Sequence, residues 1–406
     1  MKSSIKLSVA AFAIILLLAD LSVRVLEVKE QIYSESGIAS LVSFPIEKPR
    51  KSVNTRAETS TAKNREKWLN QGISEAYIDL FEEAERTIPS VPRRSGSRGV
   101  LFVTLGGVKY LERAISAAQR VQRSLTLEGD QDVKIAYFCE RRVIDKLMSC
   151  NPSSASAGIS TRLCSDWRNG TIFTGGVFAL ENYPIHPNAS RFKTHQASVI
   201  LWMSKTQALL HSPFERTLFL DTDAFTCPGF SRMFDLVIPF TNKLWMAPST
   251  KTGDLAIGPD QFPYNNGHQH WPSPGDLKRL KDFKYFADRN TGTQVYNFKK
   301  GSYAMKFLNF HRLVENYLYS TTVKASKPIT NDQVTFKLAL YLFELFEPDF
   351  TEHTIPQHTS CRSYPGKSFA GIDGFLTGMV RQGCNSCSCS PCLVAHFAST
   401  YFLNEQ

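Results

Sequence analysis

The chain has 406 residues, and 47 Lys+Arg against 37 Asp+Glu give a formal net charge of +10. A hydrophobic fraction of 42%, with 12% aromatic residues, supplies a packed core and excludes wholesale disorder. One long apolar run, 23 Gly and 20 Pro exclude multi-span membrane and collagen-like classes, while the basic surplus suits anionic partners.

The apolar run comes first. Lys2 and Lys6 precede Leu7 to Ala19, and Asp20 closes the stretch. That is a basic segment followed by a hydrophobic one, as in a targeting sequence. Small residues suited to cleavage are missing at Leu17-Leu18-Ala19-Asp20, so an uncleaved signal anchor over 7–26 is favoured, with residues 1–6 as a cytoplasmic tail. A cleaved signal and a buried N-terminal helix are the alternatives. Either targeting reading delivers the chain to the secretory lumen, as a single-pass type II protein of the Golgi or ER membrane or as a secreted one. Nine cysteines and two acceptor triplets, Asn169-Gly170-Thr171 and Asn188-Ala189-Ser190, agree with an oxidising, glycosylating compartment. The basic residues are dispersed, which argues against a nucleic-acid partner.

Residues 27–98 are polar and mixed, with a basic run from Lys48 to Lys67, and read as a flexible stem carrying a helical patch from Ile73 to Ile88. Regular structure is expected from Gly99. Val100 to Leu105 reads as a buried parallel strand, Gly106-Gly107 as a turn, Tyr110 to Leu125 as a helix and Val133 to Phe138 as a second strand. A long irregular region follows. Val199, Trp202, Met203, Thr206, Leu209 and Leu210 then share a helical face, and Thr217 to Leu220 is a third buried strand. The alternation argues for an α/β fold with a doubly wound sheet over 99–406.

The chemistry-bearing segment is Leu218-Phe219-Leu220-Asp221-Thr222-Asp223. In open α/β sheets ligands bind beyond the carboxyl ends of strands, where these acids fall. Two neighbouring carboxylates repel, and a hard divalent cation, Mn²⁺ or Mg²⁺, resolves the repulsion. The plain alternative is a strand-end turn with solvated acids.

This segment, with the helix before it, resembles the core of GT-A glycosyltransferases, which use nucleotide-diphosphate sugars, and is most similar to the glycogenin-like and fungal mannosyltransferase-like groups. The likeness continues in order. Asn290-Thr291-Gly292 resembles the strand entry that lies against the donor sugar, Asn331-Asp332-Gln333 the element at the sugar and acceptor side, and Val394-Ala395-His396 the late histidine of the metal site. The resemblance implies a Rossmann-like GT-A domain. Its metal would be held by Asp221, Asp223 and His396, and its donor by Thr104, Gly106, Asp221, Asp223, Asn290 and Gly292. Asp332 and Gln333 would be catalytic, with Asp332 the base if the enzyme inverts. The implied activity is metal-dependent transfer of a sugar, a hexose by expectation, from a nucleotide-diphosphate sugar to a glycan or glycoprotein acceptor.

Each element also has a plainer account. Thr330 with Gln333 forms a capping box, Asp332 suits a helix's first turn, Asn290 and Gly292 suit a turn, and His396 suits a structural histidine. Glycogenin-like enzymes follow the histidine with Gly and Lys, whereas Phe397-Ala398-Ser399-Thr400 stands here. The diphosphate lysine is therefore unassigned, with Arg191, Lys193 and Lys299 as substitutes. The run Cys384-x-x-Cys387-x-Cys389-x-x-Cys392 reads as disulfides, to partners such as Cys361, or as a zinc site. Two rival functions remain: a haloacid-dehalogenase-type phosphatase, whose nucleophile strand looks alike, and a non-catalytic luminal sugar- or nucleotide-binding protein.

Overall fold

In a computed structural model, the strand expected from Val100 is the inner end of β1, Arg94–Val103. The structure describes residues 64–153, 159–183, 196–226, 229–237, 255–258, 290–322, 332–350, 353–354, 360–363 and 394–397. The chain divides into two units, Met1–Thr59 and Ser60–Gln406, and every described residue belongs to the second. The expected tail and anchor lie outside the described residues, among which no helix is long and apolar enough to cross a membrane.

β2 is Lys134–Cys139, β3 Gly176–Ala179 and β4 Phe214–Leu220. β5 is Ala224–Thr226, β6 Leu255–Gly258, β7 Asn290–Asn297 and β8 His353–Thr354. β9 is Ser360–Ser363 and β10 Val394–Phe397. Among the described residues the main sheet has seven strands, in the order β3-β2-β1-β4-β7-β6-β8. Its first half is parallel, with Leu101 opposite both Ala136 and Phe219; β7 then runs antiparallel to β4, with Leu220 opposite Thr293. The connection order reverses between β1 and β4, which makes their exits the crevice where such sheets bind ligands. A smaller sheet, β5-β10-β9, continues from the β4 exit.

Seven helices are labelled α1 to α7: Glu75–Arg86, Val108–Glu128, Arg141–Ser149, Thr161–Arg168, Gln196–Leu210, Tyr303–Thr322 and Asp332–Phe346. Period-two alternation in the strands feeds two cores. Leu101, Val103 and Phe219 face the core built with α1, α5, α6 and α7. Val100, Phe102, Leu218 and Leu220 face the core built with α2, α3, α4 and a 3₁₀ helix over Phe230–Val237.

Two differences from the sequence reading have physical causes. Residues 64–98, read as stem, belong to the folded body. Trp68, Ile73, Tyr77, Phe81 and Ala84 are buried in the first core, Phe81 stacks on Phe346 at 4.3 Å, and Asn309 Nδ2 donates to the Ala84 carbonyl at 2.8 Å. The expected helical patch is α1, and its apolar side is held by helices more than 200 residues later, a partnership no local composition reveals. Residues 27–63 lie outside the described residues. The region read as irregular after β2 contains α3, α4 and β3, and a disulfide between Cys150 and Cys164 ties the end of α3 to α4.

Candidate functional site

The last two inward residues of β4, Leu218 and Leu220, are fully buried, and the chain turns immediately at Asp221. The turn is tight. Ala224 N–H donates back to the Asp221 carbonyl at 2.9 Å, and Asp221 N–H donates across the sheet to the Gly292 carbonyl at 2.9 Å. Strand alternation sends Asp221 to the same side as Phe219, where α5 supplies a cation. Lys205 Nζ lies 2.8 Å from Asp221 Oδ1 and 5.6 Å from the Phe219 ring centre. This ion pair is partly shielded, with side-chain exposures of 14% for Lys205 and 24% for Asp221.

On the opposite side α2 supplies a second cation. Arg120 donates from Nη2 to the Thr222 carbonyl at 3.1 Å. Burial lowers its pKa to about 10, against the opposing pull of Asp223, so it stays cationic at neutral pH. The carboxylate pair is therefore already flanked by two protein cations. The repulsion that argued for a metal from sequence is offset in part by the protein itself, and the case for a metal rests instead on donor chemistry and placement.

The backbone brings three of the separated sequence elements together. Gly292 accepts from Asp221, with Asn290 opening the same strand. β10 runs antiparallel to β5 with His396 opposite Ala224, the residue after Asp223. The Asn290 and His396 side chains lie outside the described residues. Asp332 and Gln333 open α7, which packs on α6 and β7, but their side chains are likewise outside. Among the described residues no group of three His, Cys, Asp or Glu is arranged to hold a metal.

The exit of β1 is different. The Thr104 hydroxyl is buried against the Tyr137 hydroxyl at 2.5 Å, and its N–H donates to the Phe138 carbonyl. The Gly106 and Gly107 N–H groups both donate to Glu140 Oε2, at 2.9 and 2.7 Å. Gly106 needs to be glycine: its φ is +106°, and an added Cβ would sit 2.6 Å from the Tyr110 ring. Thr104 and Gly106, read as donor contacts, thus spend these polar groups on the fold.

Lys299 is exposed, Asn169 sits in an exposed turn after α4, and Asp166 accepts from Gln119 Nε2 at 2.7 Å nearby. Arg191, Lys193, Asn188, Cys227 and the Cys384–Cys392 run lie outside the described residues, as does the Cys361 side chain. Sequence reasoning missed Lys205, Arg120 and Glu140. Lys205 did leave a trace, being the one charged residue in the fifteen of α5. Arg120 and Glu140 left none, since each looks like any polar residue near a helix.

Comparison with solved structures adds one finding. The neighbours are glycosyltransferases. The chain is similar to the apo-form glycosyltransferase GlyE of Streptococcus pneumoniae TIGR4, at 14% identity and a TM-score of 0.35, over 75% of this chain and 55% of that one. It therefore spans little more than half of GlyE. It is also similar to the galactosyltransferase LgtC, at 13% identity and a TM-score of 0.35, over 74% and 87% of the two chains. Mouse xyloside xylosyltransferase 1 is similar at 11% identity and a TM-score of 0.38, over 74% and 97%. No protein-family model matches the sequence, and no curated protein matches it either.

Proposed function

We propose that the chain is a divalent-metal-dependent glycosyltransferase that moves a sugar from a nucleotide-diphosphate sugar to a glycan or glycoprotein acceptor. The observation that carries this reading is the placement of Asp221-Thr222-Asp223 at the crevice between the β1 and β4 exits, with β7 and β10 alongside. The donor set fits the metal: carboxylate oxygens from one turn, with an imidazole-bearing residue on the adjoining strand, suit Mn²⁺ or Mg²⁺. Asp221, Asp223 and His396 are the residues assigned to hold it. When bound, the ion supplies positive charge that offsets the negative charge developing on the departing diphosphate.

The chain's own residues do the rest by positioning. Lys205 fixes the Asp221 carboxylate through a close ion pair. Arg120 fastens the turn through the Thr222 carbonyl, and Gly292 fastens it from β7. Little of the turn's geometry is thereby left to be organised when donor arrives, which is how preorganisation lowers a barrier. Asn290 and Gly292 are proposed to border the donor sugar, and Asp332 and Gln333 the acceptor, with Asp332 the base if configuration inverts. The Cys150–Cys164 disulfide supports an oxidising compartment, in line with a Golgi or ER placement through an N-terminal anchor.

The test is a panel of nucleotide-diphosphate sugars incubated with the full chain and Mn²⁺. Metal-dependent release of nucleoside diphosphate from at least one donor is expected. Release of inorganic phosphate from simple monoesters would instead identify a phosphatase, and nucleotide binding without turnover a binding protein.

A further inference from the structure

One groove is left unused by this reading. It holds about 740 Å³ and is walled by the polar face of α2 on one side and by α4 with the turn after it on the other. Both walls are firm. α2 packs its apolar side on the sheet through Leu111, Ile115, Ala118 and Val121, while α4 is tied to the end of α3 by the Cys150–Cys164 disulfide. The Gln119–Asp166 hydrogen bond joins the two walls.

Three guanidinium groups, Arg120, Arg123 and Arg162, line the groove against two carboxylates, Glu112 and Asp166. Asp166 already accepts from Gln119, and Arg123 and Arg162 are exposed and make no hydrogen bond or ion pair among the described residues. The remainder of the lining is mostly hydroxyl and amide. Guanidinium forks select phosphate, sulfate or carboxylate, and hydroxyl and amide groups select sugar hydroxyls. The space is too large for one small anion and too polar for an apolar ligand.

We propose that this groove binds an oxyanion-bearing glycan at a site separate from the Asp221–Asp223 turn, with Arg123 and Arg162 as the residues that recognise its charge. Arg120 belongs to both regions, since it lines the groove and donates to the Thr222 carbonyl. An occupant therefore lies one side chain from the carboxylate turn. That the ligand is a glycan rests on the function proposed above; the basic groove does not.

The experiment is calorimetric titration of the full chain with four probes: a sulfated oligosaccharide, an oligogalacturonate, neutral maltotetraose and inorganic phosphate. At least one of the two charged oligosaccharides is expected to bind tenfold or more tighter than maltotetraose and phosphate. The double variant Arg123→Glu with Arg162→Glu should lose that preference while releasing nucleoside diphosphate at the parental rate. Equal affinity for charged and neutral probes, phosphate binding as tightly as oligosaccharide, no binding by any probe, or an unaffected double variant would each overturn the proposal. Binding is read without turnover, so an inactive protein that still shows the charge preference would sink the transferase reading and leave the groove standing.

Discussion

Two strand exits sit side by side at the same crevice, and they are built in opposite ways. The β1 exit is locked. Its threonine hydroxyl is tucked against Tyr137, and its two glycine N–H groups are held by Glu140. The β4 exit is poised. Its backbone is fixed by Gly292 and Arg120, while its carboxylates remain half-buried and are steadied by cations from two different helices. Position beyond a strand end does not itself make a residue functional. What distinguishes the two turns is whether their polar atoms are used up inside the fold.

That contrast can be broken experimentally, beginning with the largest effect. Asp223→Ala is expected to lower metal-dependent nucleoside diphosphate release by at least about 100-fold, the scale seen when a preorganised charge-stabilising group is removed. Its thermal midpoint should stay at the parental value in differential scanning fluorimetry. Parental turnover in this variant would mean that the β4 exit is as structural as its neighbour.

Lys205→Met should follow, with a loss of about 10- to 100-fold in kcat/KM, because a charge-assisted bond contributes roughly 1.5–3 kcal/mol. Steady-state kinetics across a Mn²⁺ series would show a weaker metal response if Lys205 holds Asp221 in place. An unchanged metal response would reduce the pair to a surface contact.

Glu140→Ala should show the reverse profile. Two N–H donors lose a carboxylate partner, for an expected destabilisation of about 1–3 kcal/mol in urea unfolding. Activity of the folded fraction should stay within about threefold. A collapse in activity with intact stability would show that the β1 exit contributes chemistry after all.

The effect expected to leave activity least changed is a pH dependence of stability that belongs to the core and to neither turn. His311 is buried between α5 and α7, facing Thr206, Thr335 and Glu315, and burial lowers its pKa to about 3. The unfolded chain protonates this histidine near 6.5, so stability is full above that value. As pH falls from about 6.5 towards 3 the unfolded state binds a proton the native state refuses, and stability drops by up to about 1.4 kcal/mol per pH unit. His311→Gln should flatten that slope in urea titrations between pH 6.5 and 4. A slope unchanged by the substitution would assign it to other groups.

Much of the parallel half of the sheet was legible in the sequence, because its strands are continuous apolar runs, with α2 directly after β1 and α5 directly before β4. The Asp221–Asp223 turn was legible for the same reason: two acids directly after four buried positions stand out. The elements around it were less so. Glu140 becomes meaningful only when the turn after β1 folds onto it, and Arg120 only when residues 222–226 run back along α2. The assignment of residues 64–98 to a stem failed because the partners of Trp68 and Phe81 are Phe310, Phe343 and Phe346, at the far end of the chain. Residues 141–168 looked irregular because the short helices there depend on a disulfide and on a few buried side chains such as Val143, Leu147 and Ile159.

The most direct measurement is Mn²⁺ binding by the full chain in the presence of nucleoside diphosphates, followed by electron paramagnetic resonance, for the parental protein and for Asp223→Asn. Nucleotide-dependent Mn²⁺ binding in the parent that is lost in the variant, with the fold intact, is the result expected if the acids at the β4 exit grip the ion. Identical Mn²⁺ binding in both proteins would contradict the account.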